Sequence, residues 1–97
     1  LYTLIVDGLL GTGFHGKLTS PLKELIQRAN ASSLPICAID IPSGLNGTTG
    51  EGAIDAIQAS VTISLGCAKS GFFLQNGWNC VGELLIEDFG LPAKYVK

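Results

Sequence analysis

The chain is short, apolar and weakly charged, and these properties exclude several classes of protein. Its 97 residues are 46% hydrophobic and 14% charged, which suits one globular domain and excludes a disordered tail. The sequence has eight acidic and six basic residues and no basic cluster, which argues against nucleic-acid binding. It has no long apolar run, which argues against a membrane partner. We therefore expect a cytoplasmic protein.

The first predicted element is a strand over residues 2–6, followed by an acid and a glycine-rich loop. The segment YTLIVD is a near-continuous apolar run, typical of a parallel strand that is covered on both faces, and it ends at Asp7. The loop at 11–16 reads GTGFHG and contains the pattern G-x-G-x-x-G. Its small residues favour a close approach of the backbone to a ligand.

A helix is predicted over residues 21–30. Ser20 is a suitable N-cap residue, and Pro21 suits the first helical position. Apolar residues then recur along one stripe of the helix, at Leu22, Leu25, Ile26 and Ala29.

Three more strands are predicted, at 36–39, 61–65 and 83–86. The order strand, helix, strand indicates a βαβ unit, and the whole pattern predicts one α/β domain with an open, mainly parallel sheet. Ligands bind outside the carboxyl ends of the strands in such sheets. We therefore expect Asp7, Asp40 and the loop at 66–69 to face one crevice.

The glycine loop differs from the fingerprint of dinucleotide-binding dehydrogenases. That fingerprint places the start of the helix within the glycine repeat, whereas the helix signal at Ser20 lies beyond Gly16. Asp7 would also bring a carboxylate close to the phosphates. A conventional NAD-dependent oxidoreductase is therefore the weaker interpretation.

Six side chains are predicted to serve packing rather than chemistry. Three widely spaced cysteines without C-x-x-C pairing favour buried or half-buried thiols over a disulfide or metal site. Two adjacent phenylalanines and the single tryptophan are expected in the core or at an interface. These residues are Cys37, Cys67, Cys80, Phe72, Phe73 and Trp78.

Four segments together resemble the NAD(P)H-hydrate epimerase family, the YjeF N-terminal domain. In chain order they read VDGLLGTGFHG, LPICAIDIPSGLNGTTG, ASVTISLGCAKSGFF and GELLIEDFGLP. The resemblance implies a Rossmann-like three-layer αβα sandwich with a mainly parallel sheet. It also implies an isomerase that interconverts the R and S forms of NADH and NADPH hydrated at C6, as a homodimer and with a dehydratase domain or partner acting on the product.

The resemblance also implies roles for individual residues. Asp7 and Ser43 match potassium ligands, which makes potassium the expected cofactor, and Asp40 matches the acid that contacts the substrate and serves as general acid/base. The segment expected to cradle the nucleotide comprises Gly11, Thr12, Gly13, Phe14, His15, Gly16 and Lys17. The family's domain begins earlier, so we expect residues 1–97 to be part of a single domain of this type whose first portion is absent.

Other roles remain open for the same residues. Asp7 and Asp40 could cap backbone amides at strand ends, and Ser43 could stabilise a turn. Lys69 could hold a phosphate, act at the nicotinamide or be solvated, and His15 is expected to be a surface residue. For the whole chain, the alternatives are a non-catalytic scaffold or dimerisation module, and an inactive fragment of the enzyme.

Overall fold

The computed structural model describes residues 3–10 and 18–87. These residues form four strands, two helices and one 3-10 turn. In chain order the elements are β1 (Ile5–Asp7), α1 (Leu22–Ala31), β2 (Ile36–Ile39), β3 (Val61–Leu65), a 3-10 turn (Ser70–Phe72), α2 (Trp78–Val81) and β4 (Glu83–Glu87).

The four strands form one parallel sheet in the order β1-β2-β3-β4. This confirms the predicted α/β class and parallel sheet, and the bounds of β2 and β3 are as predicted. Asp7 pairs with Ala38, and Ile39 pairs with Ile63, so the carboxyl ends of three neighbouring strands lie at one edge. Asp7 is the last residue of β1, and Asp40 is the first residue after β2. The two acids therefore lie at the ends of adjacent strands and not on opposite edges of the sheet.

The start of α1 differs from the prediction by one residue. Pro21, rather than Ser20, occupies the N-cap position, and no side chain caps the helix. The Ser20 hydroxyl instead donates to Glu24 Oε1 at 3.3 Å. The predicted N-cap role of Ser20 is wrong because the glutamate in the first turn engages this hydroxyl.

Two apolar clusters pack both helices against the same face of the sheet. Ile26 of α1 packs with Ile36 of β2, and Val81 of α2 packs with the cluster that adjoins Leu84 of β4. The Thr62 hydroxyl points to this face too, since it donates to the carbonyl of Val81 at 2.7 Å. The alternate residues of β2 and β3 are buried here.

The opposite face of the sheet carries apolar side chains that no described helix covers. Val6 is 63% exposed and Leu85 is 49% exposed. On β2 and β3, the two strands between them, the side chains of this face are only half-buried. They are Cys37, Ile39, Val61, Ile63 and Leu65. The described residues thus form the sheet and one helical layer, and the second helical layer of the sandwich stays a prediction.

The expectation of a buried or half-buried thiol is wrong for Cys67, and Phe73 and Trp78 lie outside the core, so their expected place at an interface stays a prediction. Cys67 is exposed, and Phe73 and Trp78 are more than half exposed with their rings stacked at a centroid distance of 5.5 Å. The predicted core positions hold for Phe72 and Cys80, and burial raises the pKa of the Cys80 thiol. Phe73 directly follows the three-residue 3-10 turn, and Trp78 begins the four-residue α2, so both rings belong to short segments that bury only part of their residues.

Within residues 3–10 and 18–87, no helix has the length and apolar character that crossing a membrane requires.

We predict that Ile26→Ala lowers the free energy of unfolding by about 2–5 kcal/mol, because it leaves a cavity between α1 and the sheet. Ile26 is fully buried, whereas the neighbouring Leu25 is 47% exposed. Leu25→Ala is therefore a matched control and should cost about 1 kcal/mol or less. Urea denaturation of both variants provides the measurement. Equal losses would contradict the assignment of Ile26 to the core.

Candidate active site

The backbone reverses sharply at Asp40, directly after β2. Asp40 has a φ of 70°, and the amide of Ile41 donates to the carbonyl of Ile39 at 2.9 Å across it. This three-residue turn with a positive central φ is rare and strained, and aspartate is one of the few side chains that tolerate it. The amide of Asp40 still donates to the carbonyl of Ile63 at 2.7 Å, so the turn remains attached to β3.

The turn directs the Asp40 side chain towards the end of β3. Its Oδ1 accepts hydrogen bonds from the Leu65 amide at 3.1 Å and from Lys69 Nζ at 2.9 Å. The side chains of Asp40 and Lys69 are 21% and 18% exposed, so this ion pair is largely shielded from water. No hydrogen bond from a described residue reaches Oδ2. One carboxylate oxygen is thus fixed, and the other accepts no hydrogen bond within the described part of the chain.

Ser43, three residues further along the same loop, contacts the end of β1. Its amide donates to Asp7 Oδ2 at 2.7 Å, and its hydroxyl donates to Asp7 Oδ1 at 2.6 Å. The same hydroxyl accepts from the Leu10 amide at 2.9 Å. Ser43 therefore joins Asp7 to the start of the glycine-rich loop.

A glycine after Ser43 makes this loop possible. Gly44 has a φ of 97°, and the amide of Leu45 donates to the carbonyl of Pro42 at 3.1 Å. A Cβ at Gly44 would lie 2.7 Å from Leu18 Cδ1 and 3.0 Å from the backbone of Ala56. The Pro-Ser-Gly sequence therefore suits a tight turn with positive φ at its third position.

Asp7 is a buried acid, and its hydrogen-bond donors among the described residues are neutral. It is 2% exposed, and its third donor is the Leu9 amide at 3.3 Å. No ion pair involves Asp7 within the part of the chain that the structure describes. A buried charge is costly unless it is paired or binds a cation, so its environment differs from that of Asp40.

The structure brings together the loops that follow β1, β2 and β3, as the sequence predicts. Asp7 contacts Ser43, and Asp40 contacts Lys69. Both acids also bind backbone amides, so the capping alternative describes part of what each does. The predicted nucleotide cradle at 11–17 lies outside the described residues.

The pairing of Lys69 with Asp40 is a contact that sequence reasoning did not predict. A solvated lysine was one open interpretation, and it is wrong because Nζ contacts four oxygen atoms. The available signal was the position of Lys69 shortly after β3, at the same edge of the sheet where Asp40 follows β2.

Comparison with known proteins places the chain in a family. The family model described as "YjeF-related protein N-terminus" matches residues 1–71. The chain belongs to this family. Its Rossmann-like α/β fold agrees with the all-parallel sheet described above.

Relatives of this YjeF-family chain carry names of NAD(P)H-hydrate repair enzymes. An NAD(P)H-hydrate epimerase of Weissella koreensis is 38% identical over 96% of the chain and 43% of the relative. A bifunctional NAD(P)H-hydrate repair enzyme of Pyrobaculum aerophilum is 40% identical over 94% of the chain and 18% of the relative. One of Leishmania braziliensis is 43% identical over 91% of the chain and 16% of the relative. The chain thus spans less than half the length of each of these relatives.

We predict that Ser43→Ala destabilises this YjeF-family chain by about 1–3 kcal/mol, because it leaves the Leu10 amide without its acceptor and removes a donor from buried Asp7. Ser70→Ala is the control, since it removes an exposed hydroxyl that donates to a loop carbonyl, and it should change stability by about 0.5 kcal/mol or less. Chemical denaturation of both variants is the measurement. An unchanged stability of Ser43→Ala would show that the link between β1 and the loop is energetically unimportant.

Proposed function

We propose that this protein interconverts the R and S forms of NADH and NADPH hydrated at C6. Two lines of support converge. The relatives at 36–43% identity are named NAD(P)H-hydrate epimerases or repair enzymes. The observation that carries the proposal is the Asp40 carboxylate, which has one oxygen held and one oxygen free of described donors, at the edge of the sheet where such folds bind ligands.

The chemistry requires a group that exchanges a proton with the oxygen bound to the hydrated carbon C6. The C6 hydroxyl leaves as water after it gains a proton, and water re-adds from the opposite face and loses a proton. A carboxyl group within hydrogen-bond reach of this oxygen can give and take that proton. Asp40 is the described acid that combines a fixed position with partial exposure, so we assign it this role.

The nucleotide part of the substrate is assigned to the segment 11–17. Successive backbone amides of a glycine-rich loop bind phosphate oxygens well. The bond from the Leu10 amide to Ser43 Oγ fixes the residue just before this segment. This contact supports a nucleotide cradle that begins beside Asp7 and adjoins the crevice.

We assign potassium to Asp7 and Ser43. Both supply oxygen donors, which hard cations prefer, and Ser43 Oγ retains a lone pair after it accepts from the Leu10 amide. The charge of buried Asp7 has no cationic partner among the described residues. In residues 3–10 and 18–87, His, Cys, Asp and Glu form no cluster of three that could hold a metal ion, so the site rests on one carboxylate and one hydroxyl. A bound cation would offset the buried charge beside the nucleotide cradle.

Three further properties belong to the same proposal. The word "bifunctional" in the names of the Pyrobaculum and Leishmania relatives supports a second repair activity acting with this one. We also propose a homodimer and a cytoplasmic location. A non-catalytic scaffold of the same fold is the competing proposal. Substitution of Asp40 distinguishes the two, because it can slow epimerisation only if the protein catalyses that reaction.

We predict that Asp40→Asn in the full-length protein slows epimerisation by roughly 10²-fold or more and leaves nucleotide binding largely intact, because a positioned acid/base is lost. The measurement separates the two hydrate epimers over time and determines binding in parallel. Asp55→Asn, at an acid whose side chain is 43% exposed and approaches Lys23, is the matched control and should keep the parent rate. If Asp40→Asn matches the parent rate, Asp40 has no catalytic role, and a parent without activity would favour the scaffold.

We predict that potassium strengthens substrate binding and raises the thermal midpoint relative to tetramethylammonium at equal ionic strength, because only the smaller cation can reach Asp7 and Ser43. Asp7→Asn should weaken binding before it weakens chemistry, and a higher potassium concentration should partly compensate. Asp55→Asn should keep the full potassium response. Equal binding by the parent in both salts would disprove the potassium site.

A further inference from the structure

We propose that Lys69 is a positioning residue for Asp40: its ammonium group fixes Oδ1 so that Oδ2 faces the substrate, and it does not bind the nucleotide phosphates. This inference rests on the proposed function, and it adds to that function a residue that acts through Asp40.

The surroundings of Lys69 Nζ use all of its hydrogen-bonding capacity. Four oxygen atoms lie within 3.2 Å of Nζ: Asp40 Oδ1 at 2.9 Å, the Cys67 carbonyl at 3.0 Å, Ser64 Oγ at 3.2 Å and the Leu65 carbonyl at 3.2 Å. An ammonium group has three hydrogens to donate. Four acceptors for three hydrogens leave none for a phosphate, so a phosphate would have to displace existing contacts.

The end of β3 supplies two of the acceptors of the ammonium group. Ser64 is a fully buried β3 residue whose hydroxyl donates to the Cys67 carbonyl at 2.6 Å. Its oxygen is therefore oriented to accept from Lys69. Three of the four acceptors thus belong to the end of β3 or the loop after it, and they place Nζ where the strand meets Asp40.

The backbone of Lys69 is anchored as well. The amide of Phe72, a fully buried residue, donates to the carbonyl of Lys69 at 3.1 Å. A Cβ at Gly47 would lie 3.8 Å from Lys69 Cβ and Cγ, so the aliphatic stem passes beside the loop that follows Ser43. An anchored backbone and a packed stem leave the ammonium group little freedom to swing into solvent.

Removing this cation would leave Asp40 with one described donor, the Leu65 amide at 3.1 Å. The strained turn at Asp40 fixes the backbone, but the side-chain torsions would then be free to turn the carboxylate. Charge-assisted bonds are stronger than neutral ones, so the loss falls on the stronger of its two contacts. Displacing a reacting group by ~1 Å can reduce a rate by about 10²-fold.

The test compares Lys69→Met with the full-length parent in epimerisation assays. We expect kcat to fall about 10- to 100-fold while KM stays close to the parent value, since the substrate contacts are kept. Lys69→Arg keeps the charge, but its planar guanidinium group cannot donate to four converging acceptors. Its kcat should therefore lie between those of the parent and Lys69→Met. It is also the second variant if Lys69→Met does not fold. Lys23→Met, at a lysine of α1 whose side chain is 39% exposed, is the matched control and should change neither constant.

A double-mutant cycle separates positioning from a merely structural role. If Lys69 acts through Asp40, Lys69→Met should cost little further activity in an Asp40→Asn background. An equal cost in both backgrounds would overturn the proposal, and so would a raised KM with kcat unchanged, which is the signature of phosphate binding. A crystal structure of Lys69→Met needs no activity: Asp40 Oδ1 should leave the Leu65 amide, and an unmoved carboxylate would count against positioning. A parent that cannot epimerise the hydrates refutes the proposed function, and this crystallographic comparison still decides whether Lys69 positions Asp40.

Discussion

The reversal of the backbone at Asp40 is the constraint on which the site depends. β2 lies between β1 and β3, so the loop that follows it can contact the ends of both neighbours. The left-handed turn sends the Asp40 side chain to the Leu65 amide, and the glycine turn after Ser43 returns its amide and hydroxyl to Asp7. The first five residues of this loop, 40–44, therefore join three strand ends. A residue that cannot adopt positive φ at position 40 would separate these contacts as well as remove the carboxylate.

The two acids at this edge have the same place in the fold and different electrostatic surroundings. Asp7 is buried and held by two amides and a hydroxyl, whereas Asp40 is partly exposed and pairs with an ammonium group. Surroundings decide the role of a carboxylate more than its position along a strand does. A buried acid with neutral donors suits a cation site. A fixed acid with an available oxygen suits proton exchange.

The sequence predicted the elements well where the apolar pattern was unambiguous, and it could not predict contacts that depend on strand register. β2 is an apolar run, β3 alternates apolar residues with Thr62 and Ser64, and turn residues bound both strands, so their predicted bounds were correct. The Asp40–Lys69 pair joins residues 29 positions apart, and it follows from the pairing of Ile39 with Ile63 together with the turn at Asp40. The strand register cannot be read from residue type, and an aspartate permits a turn with positive φ without requiring it. The exposed Trp78 shows the same limit, because an aromatic residue in a four-residue helix can face either side.

The geometry of the site and the apolar packing of the sheet depend largely on different contacts. Asp7, Ser43, Asp40 and Lys69 are held by hydrogen bonds among the ends of β1, β2 and β3, and both described helices lie on one face of the sheet. The other face presents Val6, Leu85 and the half-buried side chains between them. A parallel sheet is stabilised when layers cover both of its faces. A layer over that apolar face would therefore stabilise the sheet without rearranging the contacts at the strand ends. Those hydrogen bonds join groups at the carboxyl ends of β1, β2 and β3 and do not use the side chains of the apolar face.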